Sequence, residues 1–172
     1  MEATDDISDG NDRVYTAPRS FAGSSLAPED LHFLTEQGLP RKVGPLQFAL
    51  AKDLPSLRQY WNRSFSVNSV RYDDLYVLGT NAAETSLFCL DRKTRAIVLL
   101  PISPPGGAEF VNTDIQKFTD CLSAWLHEYL EKNDRRRRAR LKAVLQRIDP
   151  GCLGAEAAFW PELLEDIKNG VG

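Results

Sequence analysis

TSLFCLDRKTRAIVLLPIS, residues 85–103, holds two apolar runs, TSLFCLDR (85–92) and RAIVLLPIS (95–103), around a short polar connection. Runs of this length rich in Val, Ile, Leu and Phe and bounded by Asp, Thr or Pro read as β-strands. Asp91 to Thr94 is a hairpin spacing, since a parallel crossover needs about a dozen residues or more. On the N-terminal side GPLQFAL (44–50) and DDLYVLGT (73–80) have the same character, and GTNAAE suits another turn. The expectation is an antiparallel meander.

The chain then changes period. After SPPGGAE, a loop by composition, Ile115, Phe118, Leu122, Trp125, Leu126 and Tyr129 recur at three- and four-residue intervals, which predicts an amphipathic helix capped by Asn112 or Thr113. A second helical pattern, Leu141, Val144, Leu145 and Ile148, ends at Asp149-Pro150-Gly151. A third follows Pro161 and stops at Gly170. Upstream, LAPEDLHFLTEQGLP (26–40) predicts a short helix with Pro28 at its first position, Glu29 and Asp30 near its positive end, and Gly38 and Pro40 as its stop. Strands first and helices afterwards predict an α+β fold: a central, mostly antiparallel sheet packed against C-terminal helices, in a single domain over residues 25–170. Residues 1–24 read as a disordered acidic tail, in which Val14, Tyr15 and Phe21 can dock locally.

Composition removes several function classes. With 172 residues, 42% of them hydrophobic, the chain can bury one core, and a net charge of −3 argues against a broadly basic surface. The N-terminus has no apolar signal region and no stretch has the length of a membrane span, so a cytoplasmic protein is expected. Cys89, Cys121 and Cys152 lack metal or redox spacing and read as reduced, buried apolar residues. His32 and His127 belong to no His-x-x-x-His motif, and SPPGGAE lacks the lysine and hydroxyl residue of a phosphate loop. No catalytic residue, metal or cofactor, and no small-molecule substrate, is therefore assigned.

In order along the chain, FLTEQGLP (33–40), YVLGT, LFCLDRKTRAIVLLP, FVNTDIQKFTDCLSAWLHEYL and RIDPGCLGAEAAFWPELLEDI together resemble the SUKH superfamily, in particular its fourth subgroup of immunity proteins. The likeness spans roughly residues 28–169, with FVN opening the amphipathic helix and DP followed by FWPELLEDI as its more specific parts. One departure stands out: the family pattern usually has glycine after the threonine of the hairpin turn, where this chain has Thr94-Arg95. The resemblance implies a mixed α/β domain without chemistry of its own, bacterial and cytoplasmic, encoded beside a polymorphic toxin that it binds and neutralises. Many such toxins are nucleases or nucleic-acid deaminases. A fold hosts many functions, so a regulatory protein-binding scaffold is the rival reading.

Candidate contact residues are those placed in loops and not required by a periodic core: Trp61 in QYWNRSF, Tyr72, Asp73 and Asp74 before a strand, and Glu109 in the Pro-Gly loop. Asp73 and Asp74 fit either a solvated strand start or an acidic binding rim.

The basic run Arg135, Arg136, Arg137 and Arg138 lies in a stretch, residues 132–142, that carries +6, against −5 in the first twelve residues. Four consecutive helical side chains point all the way round, so at least one must run along apolar surface. Three readings stay open: a solvated helix junction, a basic lobe facing an acidic toxin, and a nucleic-acid grip, the last disfavoured by the acidity elsewhere.

Overall fold

The structure is a computed structural model and describes residues 14–15, 26–40, 42–44, 46–47, 64, 66–81, 83–130 and 136–168. Trp61, Arg135 and the apolar residues 48–50 of GPLQFAL lie outside the described residues.

The predicted meander forms the middle of the sheet. Strands β7 (Leu75–Asn81), β8 (Ser86–Asp91) and β9 (Ile97–Pro101) run antiparallel in consecutive order, and β9 pairs in turn with β10 (Glu109–Asn112). On the other side β7 pairs with β4 (Leu46–Gln47), which pairs with β3 (Lys42–Val43), completing six strands in the order β10-β9-β8-β7-β4-β3. Val14–Tyr15 (β1), in the segment read as tail, pair with Leu39–Pro40 (β2). A two-residue hairpin joins β5 (Ser66–Val67) to β6 (Val70–Arg71), with φ of 50° at Asn68 and 67° at Ser69. Positive φ at both central positions is the turn geometry that matches strand twist.

Strand β10 corrects two expectations. EFVN is not the opening of a helix and Glu109 is not in the loop: both belong to an edge strand whose register is Glu109 opposite Leu99 and Phe110 opposite Val98. Helix α2 (Ile115–Leu130) starts three residues after Asn112, and neither Asn112 nor Thr113 caps it. Asp114 does, because its Oδ1 accepts the Lys117 backbone N–H at 2.8 Å. The other helices are α1 (Pro28–His32), α3 (Arg137–Ile148) and α4 (Phe159–Lys168), the last beginning two residues before Pro161, with a 3₁₀ turn at Pro150–Leu153. Proline is tolerated there because first-turn N–H groups have no helical partner. Past His32, helix α1 widens into one π turn, closed by the Gly38 N–H on the Phe33 carbonyl at 2.7 Å.

Why β8 reads as an unbroken apolar run is now clear. Phe88 and Leu90 face the helices, whereas Leu87 and Cys89 face the opposite side, and all four are buried. A strand buried on both faces has no reason to alternate. The larger core joins Phe88, Leu90 and Ile97 of the sheet to Phe118, Leu122 and Trp125 of α2, Leu141 and Leu145 of α3, and Trp160 and Leu164 of α4. Phe88 sits at its centre, 5.6 Å from the Phe118 ring and 5.2 Å edge-on to Phe159. Removing such a ring costs about 3–5 kcal/mol through lost burial and the cavity left behind. Opposite, Leu75, Val77, Leu87, Cys89 and Leu100 form a second, smaller core flanked by Tyr72, Val98, Ile102 and Ala108. Gly44, at φ 53°, lies under Trp125, whose ring would come within 3.0 Å of any Cβ there. Both conformation and space require glycine.

Candidate functional site

Tyr72 organises the end of the sheet where the candidate residues gather. It is half-buried against the smaller core, and its hydroxyl accepts the Ala108 backbone N–H at 3.3 Å, tying the β6–β7 turn to the start of β10. Asp73 is held back by Arg71, whose guanidinium also donates to Ser64 Oγ at 3.2 Å. Asp74, the more exposed of the two, faces Arg92 at 3.4 Å and Lys93 at 3.8 Å on the β8–β9 turn. The structure thus brings Tyr72 to the neighbour of Glu109, while Asp73 and Asp74 are turned toward cations of their own chain.

The β8–β9 turn explains the departure at Thr94-Arg95. Asp91 Oδ1 accepts the Lys93 N–H at 2.8 Å, the Arg95 N–H returns to the Asp91 carbonyl at 2.7 Å, and Arg95 itself has φ 66°. That left-handed conformation is costless for glycine and costs an L-residue about 1–2 kcal/mol. Arg95 offsets it with a forked contact: Nε and Nη2 donate to Asp30 Oδ2 and Oδ1 at 3.1 and 3.0 Å. Asp30 is 1% exposed. Its carboxylate raises the Arg95 pKa, first through these hydrogen bonds.

Beside Tyr72 the surface opens into a cleft of about 630 Å³ along β9 and β10. Its floor is apolar, made by Ala96, Val98, Ala108 and Phe110. Its polar lining residues are Thr94, Thr113, Glu109 and Glu156. Glu156 reaches this edge because Ala157 makes a parallel bridge with Phe110. Among the described residues neither the Glu109 nor the Glu156 carboxylate has an ion-pair or hydrogen-bond partner. Sequence reading found Glu109 but missed Glu156, since nothing local in GCLGAEAAFW announces the bridge.

The arginines gather elsewhere. Arg136 precedes α3 and is exposed, Arg137 is buried, and Arg138 donates to the Leu164 carbonyl at 2.9 Å and pairs with Glu165. Arg140 grips the buried Glu128 through Nε and Nη2 at 3.0 and 2.6 Å. Three arginines at a helix N-terminus oppose its dipole. Here Arg138 ties α3 to α4 and Arg140 ties it to α2.

The more specific parts of the family likeness, FVN, DP and FWPELLEDI, meet in a buried polar strut. Asn112 of FVN accepts the Trp160 indole N–H at 2.9 Å and donates to Asp149 Oδ2, also at 2.9 Å. Asp149 accepts the Thr113 backbone N–H at 2.8 Å as well. All three side chains are at most 1% exposed. These polar groups satisfy one another, which is what burial demands of them. Nearby, contact with Cys152 together with burial pushes the Cys121 thiol up, and burial alone does so for Cys89. Both therefore stay protonated and supply no thiolate. Among the described residues no His, Cys, Asp and Glu group has a metal-holding arrangement, and no helix is long and apolar enough to cross a membrane.

An antiparallel sheet packed on one face against helices, stitched by an Asn-Asp-Trp strut and edged by an acidic cleft, makes an α+β domain. The chain belongs to the SUKH-4 immunity protein family, whose model matches residues 8–166. No curated protein and no solved structure matches it.

Proposed function

We propose that this chain neutralises a cognate protein toxin by binding it stoichiometrically, covering the toxin's catalytic mouth or a neighbouring exosite so that substrate cannot enter. The observation carrying this reading is the family match over residues 8–166. It is a binding role and needs no covalent step, in keeping with the elevated thiol pKa values and with motif residues engaged in structural bonds. Protection of the producing cell requires tight association, and an interface of ordinary size, about 1,600 Å² in total with a few hot spots, is sufficient. A toxin that is a nuclease or nucleic-acid deaminase acting in the cytoplasm fits this role, and the chain would meet it there.

Co-expression with the toxin encoded beside it tests the reading. Restored growth together with a 1:1 complex on size-exclusion chromatography is the expected result. Failure to protect, with no complex at micromolar concentrations, would leave the rival reading, a regulatory scaffold binding a cellular protein.

A further inference from the structure

Three of the clefts lined by described residues differ in charge. The one between the π turn and α2, lined by Phe33, Gln37 and Leu122, has no charged lining residue. A second sets Glu29, Asp30 and Asp114 against Arg95 and Lys117, so its charge is largely balanced internally. The cleft along β9 and β10 is the largest of these three, at about 630 Å³ against 360 and 310 Å³, and sets two carboxylates against no cation in its lining.

From this charge pattern we propose that the β9–β10 cleft receives a lysine or arginine side chain of a partner protein. Its floor suits the aliphatic stem of such a side chain, which covers apolar surface while its head stays polar. Glu109 and Glu156 supply the opposite charge and Phe110 adds aromatic surface, while the hydroxyls of Thr94 and Thr113 already accept from the Ala96 N–H and the Lys117 ammonium. Phosphate is excluded by the same two carboxylates, so the occupant is a basic protein element and not nucleic acid. The cleft is also braced in place: Tyr72 fixes the loop leading into β10, and the Phe110–Ala157 bridge fixes Glu156. The identity of the partner as the cognate toxin rests on the reading given under Proposed function; the chemistry of the cleft does not.

The test has two arms, both using the full chain and its E109Q/E156Q variant, in which neutral amides replace the carboxylates without loss of side-chain volume. In the first, the ¹⁵N-labelled protein is titrated with a blocked Gly-Arg-Gly peptide and with its uncharged citrulline analogue. Saturable shifts with a Kd on the order of 1 mM, confined to residues 94–98 and 108–113, given by the arginine peptide alone and lost in the variant, are expected. Equal response to both peptides, no response, or full response in the variant would overturn the assignment. In the second arm the toxin encoded beside the chain is the probe, and the variant's affinity is expected to fall roughly tenfold or more, with a weaker salt dependence. Undiminished binding to the variant overturns the cleft while leaving the immunity reading intact. Failure of the unaltered chain to bind that toxin overturns the immunity reading instead, and the peptide arm then judges the cleft by itself.

Discussion

The indole N–H of Trp160 donates a 2.9 Å hydrogen bond to Oδ1 of Asn112, a residue 48 positions earlier in the chain. This bond fastens α4 to the edge strand β10, and the other end of the same amide holds Asp149 at the close of α3. The more specific parts of the family likeness, FVN, DP and FWPELLEDI, are therefore joined by a shared buried bond network.

Breaking that network is expected to be costly. Trp160→Phe keeps most of the apolar volume but leaves the Asn112 carbonyl unpaired in the core, for a loss of about 1–3 kcal/mol in urea unfolding. Asn112→Asp is worse, since it sets a carboxylate against Asp149 where a donor now stands at 2.9 Å. A variant Asn112→Asp as stable as the parent at pH 7 would contradict the network.

Arg95 offers a substitution with opposing effects. Arg95→Gly relieves the left-handed φ of 66°, which alone would stabilise, but strips a buried carboxylate of its forked partner. Loss of the pair outweighs the relief, because Asp30 is 1% exposed and cannot recover water. The expected net loss is about 1–3 kcal/mol, discounted for the half-open guanidinium. In the Asp30→Asn background the same Arg95→Gly change becomes neutral or stabilising, and a double-mutant cycle by urea denaturation reads the difference. Additive single effects would mean the pair is idle.

How much of this was legible depended on whether the signal was local. Strands β7 to β9 and helix α2 announced themselves through apolar runs and a 3.6-residue period, and the run of four arginines implied that at least one must run along apolar surface; Arg137 is the buried one among those described. β10 was misread because EFVN is short, follows a Pro-Gly loop and abuts a strong helix; only pairing with β9 makes it a strand. Asp30 looked like a dipole-facing helix residue, and its partner 65 positions away had no local trace. Of the cleft, Glu109 was visible as a polar residue near a loop. Glu156 became part of the same rim only through the long-range Phe110–Ala157 bridge.

The basic segment yields a third prediction. Since Arg138 and Arg140 spend their hydrogen bonds on Leu164 and Glu128, replacing either by alanine is expected to lower Tm. The larger drop falls to Arg140→Ala, which leaves Glu128 buried and unpaired. Binding of a 20-mer DNA or RNA duplex that persists at about 200 mM salt and is abolished by alanine at Arg136, with Tm unchanged, would restore the nucleic-acid reading.

The last prediction concerns alkaline pH. Burial raises the Cys89 thiol well above its ordinary value of 9.0, so the folded state keeps a proton that the unfolded chain gives up. The sign follows from linkage: the contribution is complete below about pH 9 and declines as pH rises beyond it, by up to about 1.4 kcal/mol per pH unit for one such group. Cys89→Ala lowers stability at pH 7 by leaving a small cavity in the second core, yet it removes this slope. Urea midpoints measured between pH 8 and pH 10.5 are therefore expected to converge for the two proteins as pH rises. Parallel curves would mean that the thiol ionises within the fold, and iodoacetamide would then modify Cys89 in the native protein as readily as in the denatured one.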